Sequence, residues 1–197
     1  MKKILKISVV AALVLGVVST ANAAKNAVVT ISGMVVAATC DVTTPGSSGR
    51  VDTGNYQKSA FESPKDRFPG ADIGFYVPKS ERHFSIALDN CDGENKEANK
   101  VQLYVTGATL NNSGGYIFNA EQDKEAGIAL TYKEGGAVKT VKAESTIPVH
   151  VTPVAKPSDK LSVNGSAVNF TAYMVAKAAP TGTQKIDVPI TFSYAYN

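Results

Sequence analysis

Two cysteines, two histidines and a scatter of carboxylates are the side chains of this sequence with chemistry to offer. Cys40 and Cys91 stand 51 positions apart, outside any Cys-x-x-Cys spacing, which gives no signal for a redox pair. A metal site needs three or four nitrogen and sulfur ligands, and His83 and His150 are the only histidines that could join the cysteines. Bonded to each other, the cysteines form a structural bridge. Closing a loop of that length contributes about 4 kcal/mol in the chain-entropy description, a large share of a domain's stability. The carboxylates Asp89 and Asp92 fall at the end of an alternating stretch, where solvated acids are common, and do not suggest a facing acid–base pair. There is no Gly-x-Ser-x-Gly, no His-Glu-x-x-His and no Gly-rich phosphate loop. We therefore expect no enzyme, no metal and no cofactor, with one disulfide, Cys40 to Cys91, as the chain's covalent chemistry.

A disulfide needs an oxidising compartment, and the N-terminus supplies the route. Met1-Lys-Lys-Ile-Leu-Lys is a basic n-region, Ile7 to Val18 is an apolar run, and Ala21-Asn22-Ala23 is a small-residue cleavage site. The apolar run is too short to span a bilayer, so residues 1–23 read as a secretory signal. Its removal takes Lys2, Lys3 and Lys6 with it, reducing the basic residues from 20 to match the 17 acidic ones. The excess positive charge belongs to the signal, and neither nucleic acid nor an anionic membrane surface is indicated as a partner. The remaining length suits one domain with one sizeable core.

The elements that position the cysteines are strands. From Ala24 to Cys40 no turn signal interrupts an extended segment in which Ala27, Val29, Ile31, Gly33 and Val35 share a face. Gly33 weakens a strand interior and marks a bend or a close backbone approach. Thr44 to Gly49 is a turn cluster, and Asn55 to Pro78, with Pro64, Pro69 and Pro78, is expected to be an exposed excursion of variable conformation. Phe84, Ile86 and Leu88 then alternate inward and lead to Cys91, so the bridge ties the first strand to the end of this one. Val101, Leu103 and Val105 mark the next strand, and Asn111 to Gly115 a surface turn. Ile128 to Tyr132 and Val138 to Val141 form a hairpin around Gly135-Gly136. A strand over Thr146 to Thr152 is edged by Pro148. Val168, Phe170, Ala172 and Met174 give one face of a strong strand whose other face carries Asn169, Thr171 and Tyr173. The last stretch alternates from Ile186 through Val188, Ile190, Phe192 and Tyr194 to Tyr196. An apolar face kept up to the penultimate residue predicts a terminal pairing edge. Without an amphipathic helix of ordinary length, the class is all-β.

Several residues in this order resemble a family. Gly33 and Val35 ahead of Cys40, a Phe84-x-Ile-x-Leu-x-x-Cys91 strand, a Phe170-Thr-Ala-Tyr173 strand and the penultimate Tyr196 together resemble the fimbrial subunits of Gram-negative chaperone-usher pili, type 1 pilins in particular. The resemblance implies an incomplete immunoglobulin-like β-sandwich lacking its last strand, completed by donor-strand exchange. It also implies a periplasmic pilus chaperone, an outer-membrane usher and neighbouring subunits of a homopolymer as partners, with passage through the periplasm to a cell-surface fimbrium. Carried over, residues 24–35 are the donor extension, with Ala27, Val29, Ile31, Gly33 and Val35 as the plug face, and 36–197 is the pilin domain. Ile186, Val188, Ile190, Phe192, Tyr194 and Tyr196 line the acceptor groove that chaperone or donor would contact. Two features depart from the family pattern. Gly182 is shifted from the position of the usual glycine, and Pro189 removes a ladder donor inside the terminal strand. The alternative role is a tip adhesin binding host glycan. Eight tyrosines without a tryptophan do not signal a sugar platform, and a one-domain mature chain that keeps a donor extension favours the polymer subunit.

Overall fold

The computed structural model describes residues 38–44, 49–93, 97, 100–152 and 162–196. The expected signal and the expected donor residues Ala27, Val29, Ile31, Gly33 and Val35 lie outside the described residues. Nine strands follow in order: β1 (Ala38–Thr43), β2 (Phe75–Tyr76), β3 (Arg82–Gly93), β4 (Val101–Thr106), β5 (Ala126–Glu134), β6 (Ala137–Thr140), β7 (Ser145–Pro148), β8 (Ser166–Ala176) and β9 (Thr191–Tyr196). The larger sheet runs β1-β3-β8-β5-β6, with β2 also on β8, and the smaller runs β7-β4-β9. Every pairing is antiparallel.

Alternation builds the layer between the sheets. Val101, Leu103 and Val105 of β4 are fully buried, with Gln102 and Tyr104 pointing away. They meet Ile86 and Leu88 of β3, Leu130 of β5, and Val168, Phe170 and Ala172 of β8 in one core cluster. The β5–β6 hairpin closes where the sequence placed it: Glu134 faces Ala137, and Gly135 and Gly136 take φ of +56° and +86°, the mirror-image turn that matches strand twist.

Strand order identifies the architecture. An immunoglobulin sandwich sets strands A, B, E and D in one sheet and C, F and G in the other. Here β1, β3, β8 and β5 take the first four places, and β4 and β9 those of C and F. Among the described residues no strand takes the place of G beside β9. Among the described residues the fold is an immunoglobulin-like sandwich without its G strand.

Two expectations need correction. The 55–78 excursion is not simply exposed: Phe68, Ile73 and Tyr76 are buried with Leu110, Ile117, Ala129, Tyr173 and Val175 in a second cluster on the outer face of the larger sheet. Phe68, Tyr76 and Tyr173 meet edge to face, with ring centroids 5.4–6.2 Å apart. The Arg67 guanidinium lies over the Tyr76 and Tyr173 rings and donates to the Tyr173 hydroxyl at 3.0 Å. Where β2 hands over to β3, the 3-10 turn Pro78–Ser80 interrupts the ladder to β8. There the Met174 amide donates to Ser80 Oγ at 2.8 Å, so a buried hydroxyl stands in for the missing carbonyl.

The second correction concerns the terminal strand. The alternation runs from Ile186, but the ladder to β4 begins at Thr191, opposite Thr106. Residues 183–190 have no regular secondary structure. Pro189 therefore falls outside the ladder, and its missing N–H costs no strand bond.

A candidate groove beside the terminal strand

β1 and β9 are the elements that frame the site. β1 is the last strand of the larger sheet on one side, β9 the last of the smaller, and the two approach each other at the same side of the sandwich. β1 is fixed to β3 by its ladder and by the Cys40–Cys91 disulfide. The register slips between Thr39 and Asp41, a bulge at the cysteine. Opposite it, Asn90 has φ of +46° and its amide donates to Asp41 at 3.0 Å, while the Thr43 hydroxyl donates to Asp89 at 2.8 Å. The Cys91 amide donates to the Asn164 side chain at 2.8 Å. These bonds give Asp89 a hydroxyl partner and Asp41 a side-chain amide partner, while the Asp92 side chain lies outside the described residues.

Between these strands the core is only partly covered. Val188, Ile190, Phe192, Tyr194 and Tyr196 pack against the core cluster but remain partly accessible, as do Val42 of β1 and Phe84 of β3. Ile186 has the same half-buried character, and the odd-numbered residues from Asp187 to Ser193 are exposed. Five of the six residues expected to line an acceptor groove thus pack on the core from one face, three of them in β9 and two in the irregular segment before it, whereas Ile186 is half-buried in a hollow beside Tyr56 and Gln57. Phe170, fully buried, is the floor: its ring lies 5.4 Å from Phe84, nearly parallel, and 5.0 Å from Phe192, while Phe84 and Phe192 meet edge to face at 6.2 Å. Burial pushes the Tyr194 hydroxyl above its ordinary pKa, with Tyr196 adding to the effect. Burial also raises Tyr132, helped by the charge of Glu134. Tyr194 is neutral over the physiological range and adds a hydroxyl, not a charge, to the strip. The Tyr196 hydroxyl accepts from the Glu97 amide at 3.3 Å.

The histidines lie elsewhere. His83 sits on the outer face of β3, its Nδ1 3.1 Å from the Thr171 hydroxyl and its Nε2 3.3 Å from Glu81. His150 follows β7 and is exposed. Among the described residues no three His, Cys, Asp or Glu side chains gather as a metal site requires. No helix there is long and apolar enough to cross a membrane. Sequence reasoning missed the outer cluster of Phe68, Tyr76 and Tyr173 with Arg67. It also missed the contacts of Glu125, which no motif marks.

A search of curated proteins returned no match. Among solved structures, the P pilus rod subunit PapA is similar at 18% identity, over 86% of this chain and 98% of that one, with a TM-score of 0.49. A chaperone-usher pilus structure that addresses rod uncoiling is similar at 16% identity, over 87% and 96%, with a TM-score of 0.44. An antigen and type I fimbria protein of Burkholderia pseudomallei is similar at 13% identity, over 80% and 92%, with a TM-score of 0.35. The assignment rests on sequence: the family model described as fimbrial protein matches residues 29–194, most of the chain and nearly all of the sandwich. This chain belongs to the fimbrial protein family.

Proposed function

We propose that this fimbrial protein is a structural subunit of a surface pilus, built into the fibre by strand exchange between copies. The observation that carries the reading is the half-buried strip Ile186, Val188, Ile190, Phe192, Tyr194 and Tyr196 beside β1, in a sandwich whose described strands leave the G position without a strand. An incomplete sheet with a wet apolar strip beside it is an aggregation hazard unless something covers it. The cover that fits is an extended segment with alternate apolar side chains, adding main-chain pairing and filling the strip, as in β-strand addition.

The occupant is residues 24–35 of a second copy, with Ala27, Val29, Ile31, Gly33 and Val35 turned into the strip. On this reading residues 1–23 are the export signal, 24–35 the donor extension and 36–197 the pilin domain. A periplasmic chaperone holds the groove before an outer-membrane usher brings the next subunit. The product is a homopolymer on the cell surface. Uncharged tyrosines and aliphatic side chains along the strip support an apolar plug, since a carboxylate carried into such a groove without a partner is strongly disfavoured.

Two substitutions separate giving from receiving. Ile31→Asp charges the donor and leaves the subunit's own groove intact. That variant is expected to bind chaperone and accumulate in the periplasm yet fail to attach to the subunit ahead of it. Phe192→Asp puts a charge beside Phe84 and Phe170, so chaperone capture fails and the subunit is degraded. Equal loss of chaperone binding in both variants would make Ile31 part of the domain's own core and overturn the donor assignment.

A further inference from the structure

The three groove residues nearest the start of the strip have no ladder to hold them. Ile186, Val188 and Ile190 lie in the irregular segment 183–190, ahead of the first pair between β4 and β9. Side-chain packing on the core fixes one side of that segment, but packing alone leaves the path of the backbone loosely determined.

Upstream, one side chain gathers the backbone and side chains of the segment's entry. Glu125, on the turn that leads into β5, accepts from the Thr181 amide at 2.7 Å with Oε2 and from the Thr181 hydroxyl at 2.8 Å with Oε1. Gln184 Nε2 donates to Glu125 Oε2 at 3.2 Å, and the Glu125 amide donates back to Gln184 Oε1 at 3.1 Å. Four bonds therefore join one residue to Thr181 and Gln184, three of them to an ionised carboxylate, the stronger class of hydrogen bond. The arrangement reaches across 56 to 59 positions of sequence. Gln184 lies two residues before Ile186, so whatever fixes it fixes where the strip starts.

We infer that Glu125 is a positioning residue for the groove: by clamping Thr181 and Gln184 it sets the course of 183–190 and thereby the depth at which Ile186, Val188 and Ile190 meet an incoming strand. The consequence for binding rests on the groove reading above, whereas the clamp itself does not. Glu125 touches none of the six groove residues in the hydrogen bonds it makes, and its effect on an occupant is exerted through the backbone it holds. The neighbouring charges engage each other: Lys124 pairs with Glu121 at 3.0 Å, and Lys185 lies 3.7 Å from Asp187. The carboxylate of Glu125 is thus available to the Thr181–Gln184 turn.

The test compares the full chain with Glu125→Ala and Glu125→Gln, using hydrogen exchange resolved along the sequence and binding of a synthetic peptide of sequence 24–35. Glu125→Ala is expected to speed exchange about tenfold at the Thr181 amide, whose acceptor it removes, leaving β4 and the 192–196 amides protected. Peptide dissociation is expected to quicken by a similar factor. Glu125→Gln keeps one carbonyl acceptor and restores part of both. Unchanged exchange at the Thr181 amide in Glu125→Ala overturns the clamp. Faster exchange with unchanged peptide dissociation overturns its role in positioning the groove. A wild-type chain that does not bind the peptide refutes the groove reading instead, and the exchange arm still decides the clamp.

Discussion

Removing the disulfide should cost this domain about as much as a large core truncation, and should do so at the groove. Among the described strands β1 pairs only with β3, across a ladder interrupted by a bulge at Cys40. Its inward side chains, Cys40 and Val42, are only partly buried, so packing contributes little to holding the strand. In Cys40→Ala combined with Cys91→Ala, the 51-residue separation is released into the unfolded chain, a loss of about 4 kcal/mol. Set against the 5–15 kcal/mol of an ordinary domain, that is roughly a quarter of the total or more. With a urea slope of about 2 kcal/mol/M, the unfolding midpoint should fall by about 2 M. Urea denaturation of the oxidised chain and the double variant, followed by circular dichroism, measures this directly. Hydrogen exchange should place the largest local loss of protection at 39–43, with β4 falling only as far as global stability does. A midpoint shift under about 0.5 M, or a β1 as protected as before, would show that the ladder alone secures the strand and that the bridge is dispensable.

Three further outcomes are expected. In Gly127→Ala the new methyl would press on the Phe118 carbonyl and come within 2.7 Å of Ile117 Cγ2, at the place where Phe118 and Ile128 exchange two backbone bonds. A destabilisation of about 1–3 kcal/mol is expected by thermal or urea unfolding. Ser80→Ala leaves the half-buried Met174 amide without its acceptor where the ladder to β8 is interrupted, at about 1–3 kcal/mol, and an unchanged melting temperature would mean that another acceptor reaches it. Hydrogen bonds from the Thr181 amide and hydroxyl hold Glu125 below its ordinary carboxylate pKa. Its contribution is therefore complete above the usual glutamate range of about 4.3 and is lost as the pH falls through the lower folded value. Exchange over 181–184 should quicken on acidification in the wild type, and Glu125→Gln should lack that component.

The sequence was most legible where one face of a strand meets the core and the other meets water. Val101, Leu103 and Val105, or Phe84, Ile86 and Leu88, declare both their strand and its inward side. It was least legible where that condition fails. Tyr173 stands on the parity of Asn169 and Thr171 and reads as outward, yet it is buried because Phe68 and Tyr76 arrive from a proline-rich segment with no periodicity of its own. Glycines and prolines there signal irregular backbone, and irregular backbone is not the same as exposed side chains. The terminal strand fails in another way. Alternation reports which side chains face the core, and it continues from Ile186 to Tyr196. The ladder needs a partner backbone, and β4 supplies one only as far as Thr106. The Glu125 contacts were illegible because hydrogen bonds between a turn and a distant irregular segment leave no pattern in spacing.

The bridge also decides how the subunit responds to tension. Pulled from its two ends, a chain with Cys40 and Cys91 joined cannot pay out the residues between them, so the 51 intervening steps, about 170 Å of extended contour, stay sequestered. Force entering at β1 passes through the sulfurs directly into β3, bypassing β2 and the segment that carries Phe68, Ile73 and Tyr76. That segment remains slack while β4 to β9 bear the load. The padding on the outer face of the larger sheet therefore carries no covalent tension of its own, and chain can be paid out only ahead of Cys40 and after Cys91.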